Sequence, residues 1–236
     1  MRKKAAAGAP EAAAAAARKR GRPPGRKSAM PRFHIELLTK ERLDCAFALT
    51  TEVFAASSTL HAALGVDLHL YQTSLRPTFE AMVQEGLSLA ATDAKGQMLG
   101  ALIATDLHAT LRDPAQSGPY PQISALTQTL TQTYRAQRAF GPGEVLHVDM
   151  AAVHPDARGL GIYRALRQHL EDRLHKTHWD YVVGELSSVV TQKVVLEEIG
   201  HRIAAEIAFE RFEWNGTRPF ASITSPPSII LAEGAL

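Results

Sequence analysis

The segment from residue 144 to 170, EVLHVDMAAVHPDARGLGIYRALRQHL, constrains the chain most, because three local rules meet in it. Residues 145–150 alternate at the period of a strand, with Val145, His147 and Asp149 on one face and Leu146, Val148 and Met150 on the other. His154-Pro155-Asp156 then turns the chain, since a proline excludes the residue before it from the helical region. Ile162, Leu166 and Leu170 recur at helical spacing. Between turn and helix lies Arg158-Gly159-Leu160-Gly161. A strand, a Gly-rich turn and a helix start in that order form an anion site. Glycines let backbone N–H groups approach closely, and the helix N-terminus adds the positive end of its dipole. Such a turn suits a pyrophosphate, although the same glycines also serve a plain tight turn.

A chain of 236 residues has room for one ordinary domain with extensions or two small ones. Its 45% apolar residues suffice for a sizeable core. Cys45, the one cysteine, excludes an internal disulfide framework and fits a reducing cytoplasm. Its place among the apolar positions of a helix predicts a small core residue. No apolar run reaches the roughly 18 residues of a membrane span, so no membrane association is expected. The formal charge of +2 is unevenly spread: residues 1–30 hold nine Lys/Arg against Glu11, about +8, leaving about −6 elsewhere.

Residues 1–31 consist mainly of Ala, Lys, Arg, Gly and Pro and lack the apolar surface to offset ordering, which predicts a disordered tail. They contain no apolar core of a secretory signal. Within the tail, RKRGRPPGRK (18–27) resembles an AT-hook through Arg20-Gly21-Arg22-Pro23. The resemblance implies arginines entering the narrow minor groove of A·T-rich DNA, a weak nucleic-acid contact that would add nucleoid association to a cytoplasmic protein. Charge alone would give such a tail non-specific affinity. Met30 also opens a plausible shorter product without it.

Further along, Phe33–Leu38 reads as a strand, and Thr39 as a helix cap before the buried stripe Leu43, Ala46, Phe47 and Thr50. Ser57-Ser58-Thr59 interrupts the pattern, and Pro77 breaks or restarts a second helical region. Residues 86–92 and 97–107 form a hairpin around Asp93-Ala94-Lys95-Gly96. An insertion of about 108–143 carries a helix from Ile123 to Phe140. After the Gly-rich turn and its helix come a strand at 181–186, a helix capped by Ser187 or Ser188 and ended by Gly200, and a strand at 201–212. The strand at 201–212 alternates Ile203, Ala205, Ile207 and Phe209, and a final strand includes 229–231. This order suits an α/β mixed, twisted sheet with helices on both faces.

The run VHPDARGLGIYRAL resembles the acetyl-CoA signature of the GNAT N-acetyltransferases, a [QR]-x-x-G-x-[GA] turn after a strand ending in V-x-P. Tyr163 stands where the family has Gly or Ala. The element order from 32 to 236 coincides with the GNAT fold, a twisted, mostly antiparallel sheet. Leu146–His154, with Asp149 replacing one His of an H-x-H, and Glu197-Glu198-Ile199-Gly200-His201 look most like the arylalkylamine N-acetyltransferases. Vertebrate members carry a Tyr proton donor where this chain has Leu196. The resemblance implies acetyl-CoA as cosubstrate and no metal. It implies cofactor contacts from Met150, Ala151, Ala152 and Val153, and from Arg158, Gly159, Leu160, Gly161, Ile162 and Tyr163, with Ser188 a cap or a neighbour of the thiol. The expected acceptor is a small arylalkyl or alkyl primary amine, and a homodimer stays open.

Direct attack of an amine on a thioester needs no enzyme nucleophile but does need a route for the ammonium proton. His147 and Asp149, two apart on a strand, share a face and suit that role; Glu185 on the next strand is the third candidate. An acid inside an apolar strand has to be paired or functional. A buried, merely satisfied His147 and a surface Glu185 are the plainer alternatives. His169, His175 and His178 lie on or after a solvated helix without ligand spacing, so no metal site is expected. Three functions follow: a small-amine acetyltransferase, which is favoured; a DNA-tethered lysine acetyltransferase; and an acetyl-CoA-binding module without turnover.

Overall fold

The computed structural model describes residues 33–110 and 119–236, so the expectations for the basic tail and its Arg20–Pro23 core lie outside the described residues. Seven strands form one sheet in the order β1-β2-β3-β4-β5-β7-β6. They are β1 (His34–Leu37), β2 (Leu89–Thr92), β3 (Met98–Asp106), β4 (Val145–Val153), β5 (Tyr181–Leu186), β6 (Arg202–Ala208) and β7 (Ser228–Ala235). The pairings are antiparallel except between β4 and β5. That parallel pair lasts three residues, Val145–His147 against Tyr181–Val183, and then stops. The expected mixed, mostly antiparallel α/β sheet is present. Its functional consequence is the gap where β4 and β5 part.

Two features shape the chain where the strands part. Gly184 has no side chain where one is excluded: a Cβ there would lie 3.1 Å from the Val148 carbonyl oxygen and 3.2 Å from Arg167 Nη1. Asp149 is a β-bulge, because Ala104 faces Val148 while Ile103 faces Met150. The bulge reverses the side-chain alternation. Leu146 and Val148 pack with α6 (Ile162–Leu174), whereas Met150 joins α1 (Leu43–Ser57) and α3 (Leu68–Gln84) on the other face. The expectation that Met150 shares a face with Leu146 and Val148 is therefore corrected.

Helices cover both faces. The α6 stripe Ile162, Leu166, Leu170 and Leu174 packs on Leu89, Leu102 and Leu146, each fully buried side chain contributing about 1.5–3 kcal/mol. Gly100 permits the closest approach, since a Cβ would meet Ile162 Cγ2 at 2.9 Å. On the opposite face, Phe47, Phe79 and Met82 pack on Ala90, Ala101 and Ile103. A further cluster joins α2 (Thr59–Leu64), the short α4 (Leu107–Thr110) and α5 (Pro121–Gln137) to β5, β6 and β7. The last helix, α7 (Val189–Lys193), continues as a π-helix over Val194–Ile199.

Four local expectations change. Pro77 stands inside α3, which neither breaks nor restarts: Pro77 and Thr73 are exposed, so the carbonyl that loses its partner faces water, while Phe79 and Met82 hold the helix down. Thr39 precedes a 3-10 turn (Lys40–Arg42) without a side-chain bond to the helix backbone. Cys45 is exposed, because helical geometry turns Leu43, Ala46 and Phe47 inward and Cys45 away from them. On β6 a register shift between Ile203 and Ala205 buries both Ala204 and Ala205 and leaves Ile203 47% exposed.

Candidate active site

At the point where β4 and β5 part, the structure gathers the three titratable groups expected from the sequence. His147 Nε2 lies 2.6 Å from Glu185 Oε2, and His147 Nδ1 lies 3.8 Å from Asp149 Oδ1. The imidazole is buried, and burial alone would discharge it. Glu185, and after it Asp149, outweigh that penalty and push its pKa up to about 9. His147 is therefore an imidazolium at neutral pH, held by a charge-assisted bond. Burial pushes the Asp149 carboxyl above its usual range, Glu185 adding to the rise and His147 opposing it. The Asp149 side chain is 32% exposed, yet it opens onto a cavity rather than bulk water.

That cavity measures about 680 Å³, within the range of small-molecule sites. One wall is aromatic. His61 stands edge-on to Phe54 and Tyr71, with ring centroids 5.8 and 4.8 Å away. Burial lowers the His61 pKa to about 4, so this ring is neutral and behaves as an aromatic surface. Burial, then the charge of Asp149, raises the Tyr71 phenol well above its ordinary value, and Tyr71 lines the same cavity as Asp149. The cavity thus sets aromatic rings at one end and carboxylates at the other.

The cavity passes through the gap to the other face of the sheet, where Tyr163, Arg167, Leu186 and Ser188 line it. Beyond His147, β4 is paired only with β3. His154 N–H donates to the Leu99 carbonyl opposite it. By alternation Met150 and Ala152 also direct their backbone groups to β3, leaving those of Ala151 and Val153 facing the gap. Of the four residues named from the sequence, only these two turn backbone donors and acceptors to a ligand there.

The Gly-rich turn has the predicted form. Gly159 and Gly161 both have φ of +77°, and neither would meet an atom within 4 Å if it carried a Cβ. Conformation rather than space demands glycine. Gly161 caps α6, whose first backbone bond runs from Ala165 N–H to the Gly161 carbonyl. Arg158 N–H is already committed to Pro155. The amides of Gly159, Leu160, Gly161, Ile162 and Tyr163 form the open turn and helix N-terminus. Tyr163 packs against the buried cluster of Leu186, Val195, Ile230 and Ala232, in which Val195 belongs to the π-helix. Ser188 acts as a cap, its Oγ accepting from Thr191 N–H at 3.1 Å.

Sequence reasoning missed Arg167. This guanidinium is 1% exposed and sits on the helix side of the gap, with Nε 3.6 Å from Glu171 and Nη2 3.4 Å from His201 Nδ1. Nε and Nη1 make no hydrogen bond. Its signal was present: Arg167 falls on the stripe Tyr163, Leu170, Leu174, where an arginine is out of place. Among the described residues no group of three His, Cys, Asp or Glu converges as a metal site.

No family model matches this sequence, and no curated protein matches it. Solved structures do. The C-terminal condensation domain of Ebony, in complex with β-alanyl-dopamine, is similar at a TM-score of 0.78 and 14% identity, over 88% of this chain and 100% of that one. A mosquito arylalkylamine N-acetyltransferase-like protein, 5b, matches at 0.69 and 18% identity, over 87% and 100%. A GCN5-related N-acetyltransferase from Kribbella flavida matches at 0.51 and 16% identity, over 86% and 98%. The chain has the GNAT fold. Within that fold, its similarities run to arylalkylamine N-acetyltransferases and to a condensation domain.

Proposed function

We propose that this protein is an acetyl-CoA-dependent N-acetyltransferase whose acceptor is a small primary amine with an aryl or alkyl body. The observation that carries this reading is the single cavity joining an aromatic wall, the His147–Asp149–Glu185 cluster and the β4–β5 gap. The residues present fit the cosubstrate: the Gly159–Tyr163 amides suit a pyrophosphate, and the free edges of Ala151 and Val153 suit amide groups laid along β4. Acetyl-CoA supplies an activated acetyl thioester. The chain's own groups do the rest. Asp149 faces the cavity with a raised pKa and takes the proton of the incoming ammonium. The His147 imidazolium, fixed by Glu185, sets its positive charge 3.8 Å from that carboxylate. The aromatic wall holds the body of the amine and keeps water from it.

Thiol release from acetyl-CoA against a panel of arylalkylamines, alkylamines and lysine peptides tests the proposal. Turnover on a small amine, abolished or cut at least tenfold in Asp149→Asn, is expected. Turnover confined to lysine peptides would overturn the small-amine reading, and cofactor binding without turnover on any acceptor would overturn the enzyme reading.

A further inference from the structure

Arg167 is a buried cation whose partners account for only part of it. A guanidinium carries five N–H donors and no acceptor. Glu171 Oε1 lies 3.6 Å from Nε without a hydrogen bond and is closer to His201 Nε2, at 3.1 Å. Nη2 meets His201 Nδ1, and Nη1 has no partner. Leaving buried donors of a charged group unmatched is costly, so such donors mark either a strained structural element or a place where a ligand completes the set.

Location decides between these. Nη1 points to the β4–β5 gap, 3.2 Å from where a Cβ on Gly184 would be, and Arg167 lines the same cavity as His147 and Glu185. The residue that would shield it is a glycine. The cavity runs from Asp149 and Glu185 through the gap to Arg167, so it has room for an acyl tail that extends from a thioester beside the carboxylates to the guanidinium. An aliphatic tail leaves Nη1 unmatched, and an ammonium-bearing tail is repelled. A carboxylate supplies both the charge and the lone pairs.

We infer that the site takes, besides or in preference to acetyl, a short acyl group ending in a carboxylate, a dicarboxylic half-thioester of about four carbons, read by Arg167. This rests on the acyltransfer reading above. The amine nitrogen forms the new bond to the acyl carbonyl carbon, the carbon–sulfur bond breaks, the thiol leaves, and the distal carboxylate stays unchanged on the amide product.

The test compares acetyl-, butyryl-, succinyl- and β-alanyl-CoA as donors with one accepted amine, by kcat/KM, in wild type, Arg167→Gln and Arg167→Lys. The expected result is a succinyl-to-butyryl ratio of about tenfold or more in wild type, the size of a hydrogen bond to a charged group. That ratio should collapse toward one in Arg167→Gln and be partly kept in Arg167→Lys. Wild type alone suffices if either variant fails to fold. A wild-type ratio near or below one, a preference for β-alanyl, or a ratio unchanged in folded Arg167→Gln overturns the inference while acetyl turnover leaves the acyltransfer reading intact. No turnover and no binding of any of the four thioesters overturns both.

Discussion

Two polar clusters stand back to back across the β4–β5 pair, and they solve the problem of buried charge differently. On the cavity side, His147 is held between Glu185 at 2.6 Å and Asp149 at 3.8 Å, and one carboxylate is left facing open space. On the α6 side, Arg167 is enclosed, Glu171 is 19% exposed, and His201 is wedged against Gly234, where a Cβ would overlap its ring. Both use a histidine and a carboxylate. The first cluster has an excess of acceptors, fit for a cationic amine. The second has an excess of donors, fit for an anion. The difference is that a bulged strand, where it parts from its neighbour, gathers short side chains of adjacent residues and strands, whereas a helix stripe can hide a single long cation whose partners come from distant segments.

The largest effect that would sharpen this contrast is catalytic. His147→Ala or Asp149→Asn should lower kcat by about 10²–10⁴-fold, the range of general acid–base catalysis, in a steady-state assay with an accepted amine. Equal kcat in wild type and Asp149→Asn would move the base elsewhere.

Next comes the titration of His147, followed through its imidazole resonances by NMR. A value near 9 is expected in wild type. In Glu185→Gln it should drop by two units or more, to the ordinary 6.5 or below, because burial remains after the main stabilising charge is gone. The folded-state value lies above the unfolded one. The pair therefore stabilises the fold fully below about pH 6.5, and that contribution is lost as pH rises through about 9. The melting-temperature gap between wild type and Glu185→Gln should narrow across that window.

The clusters should also differ in stability terms. Glu171→Gln removes the nearest carboxylate from a buried guanidinium and should cost about 2–3 kcal/mol, somewhat under the range for a fully buried pair. Asp149→Asn should cost little or even stabilise at pH 7, since the fold raises the pKa of that carboxyl and so disfavours its ionised form. Chemical denaturation of both variants would break the comparison if the two losses were equal. Smallest is the turn: Gly161→Ala at φ +77° should cost about 1–2 kcal/mol and weaken CoA binding, measured by calorimetry.

Much of the architecture was legible because it is local. The period-two run at 145–150, the proline turn and the 162–170 stripe each follow from a few adjacent residues, and the elements appear where those patterns lie. The grouping of His147 with Asp149 was legible for the same reason. Glu185 was reachable only as a candidate, since its 2.6 Å approach to His147 depends on the parallel register of two strands separated by a helix. Met150 was placed on the wrong face because a bulge is a matter of pairing with β3, which no run of residues on β4 reveals. Cys45 was misplaced because an apolar neighbourhood in sequence says little about which way a helix is rolled.

By itself, then, the sequence determined the turn that forces glycine at 159 and 161, the strand and helix it joins, and the presence of an acid in an apolar strand. These are set by backbone sterics and side-chain period, which act over a turn or two of chain. Only the tertiary structure decided that β4 and β5 part after three pairs, that Gly184 lies close against the Val148 carbonyl and Arg167, and that Arg167 sits beside His201 from 34 residues away. Those outcomes depend on register and close approach between segments, where packing against a partner rather than local preference chooses the conformation.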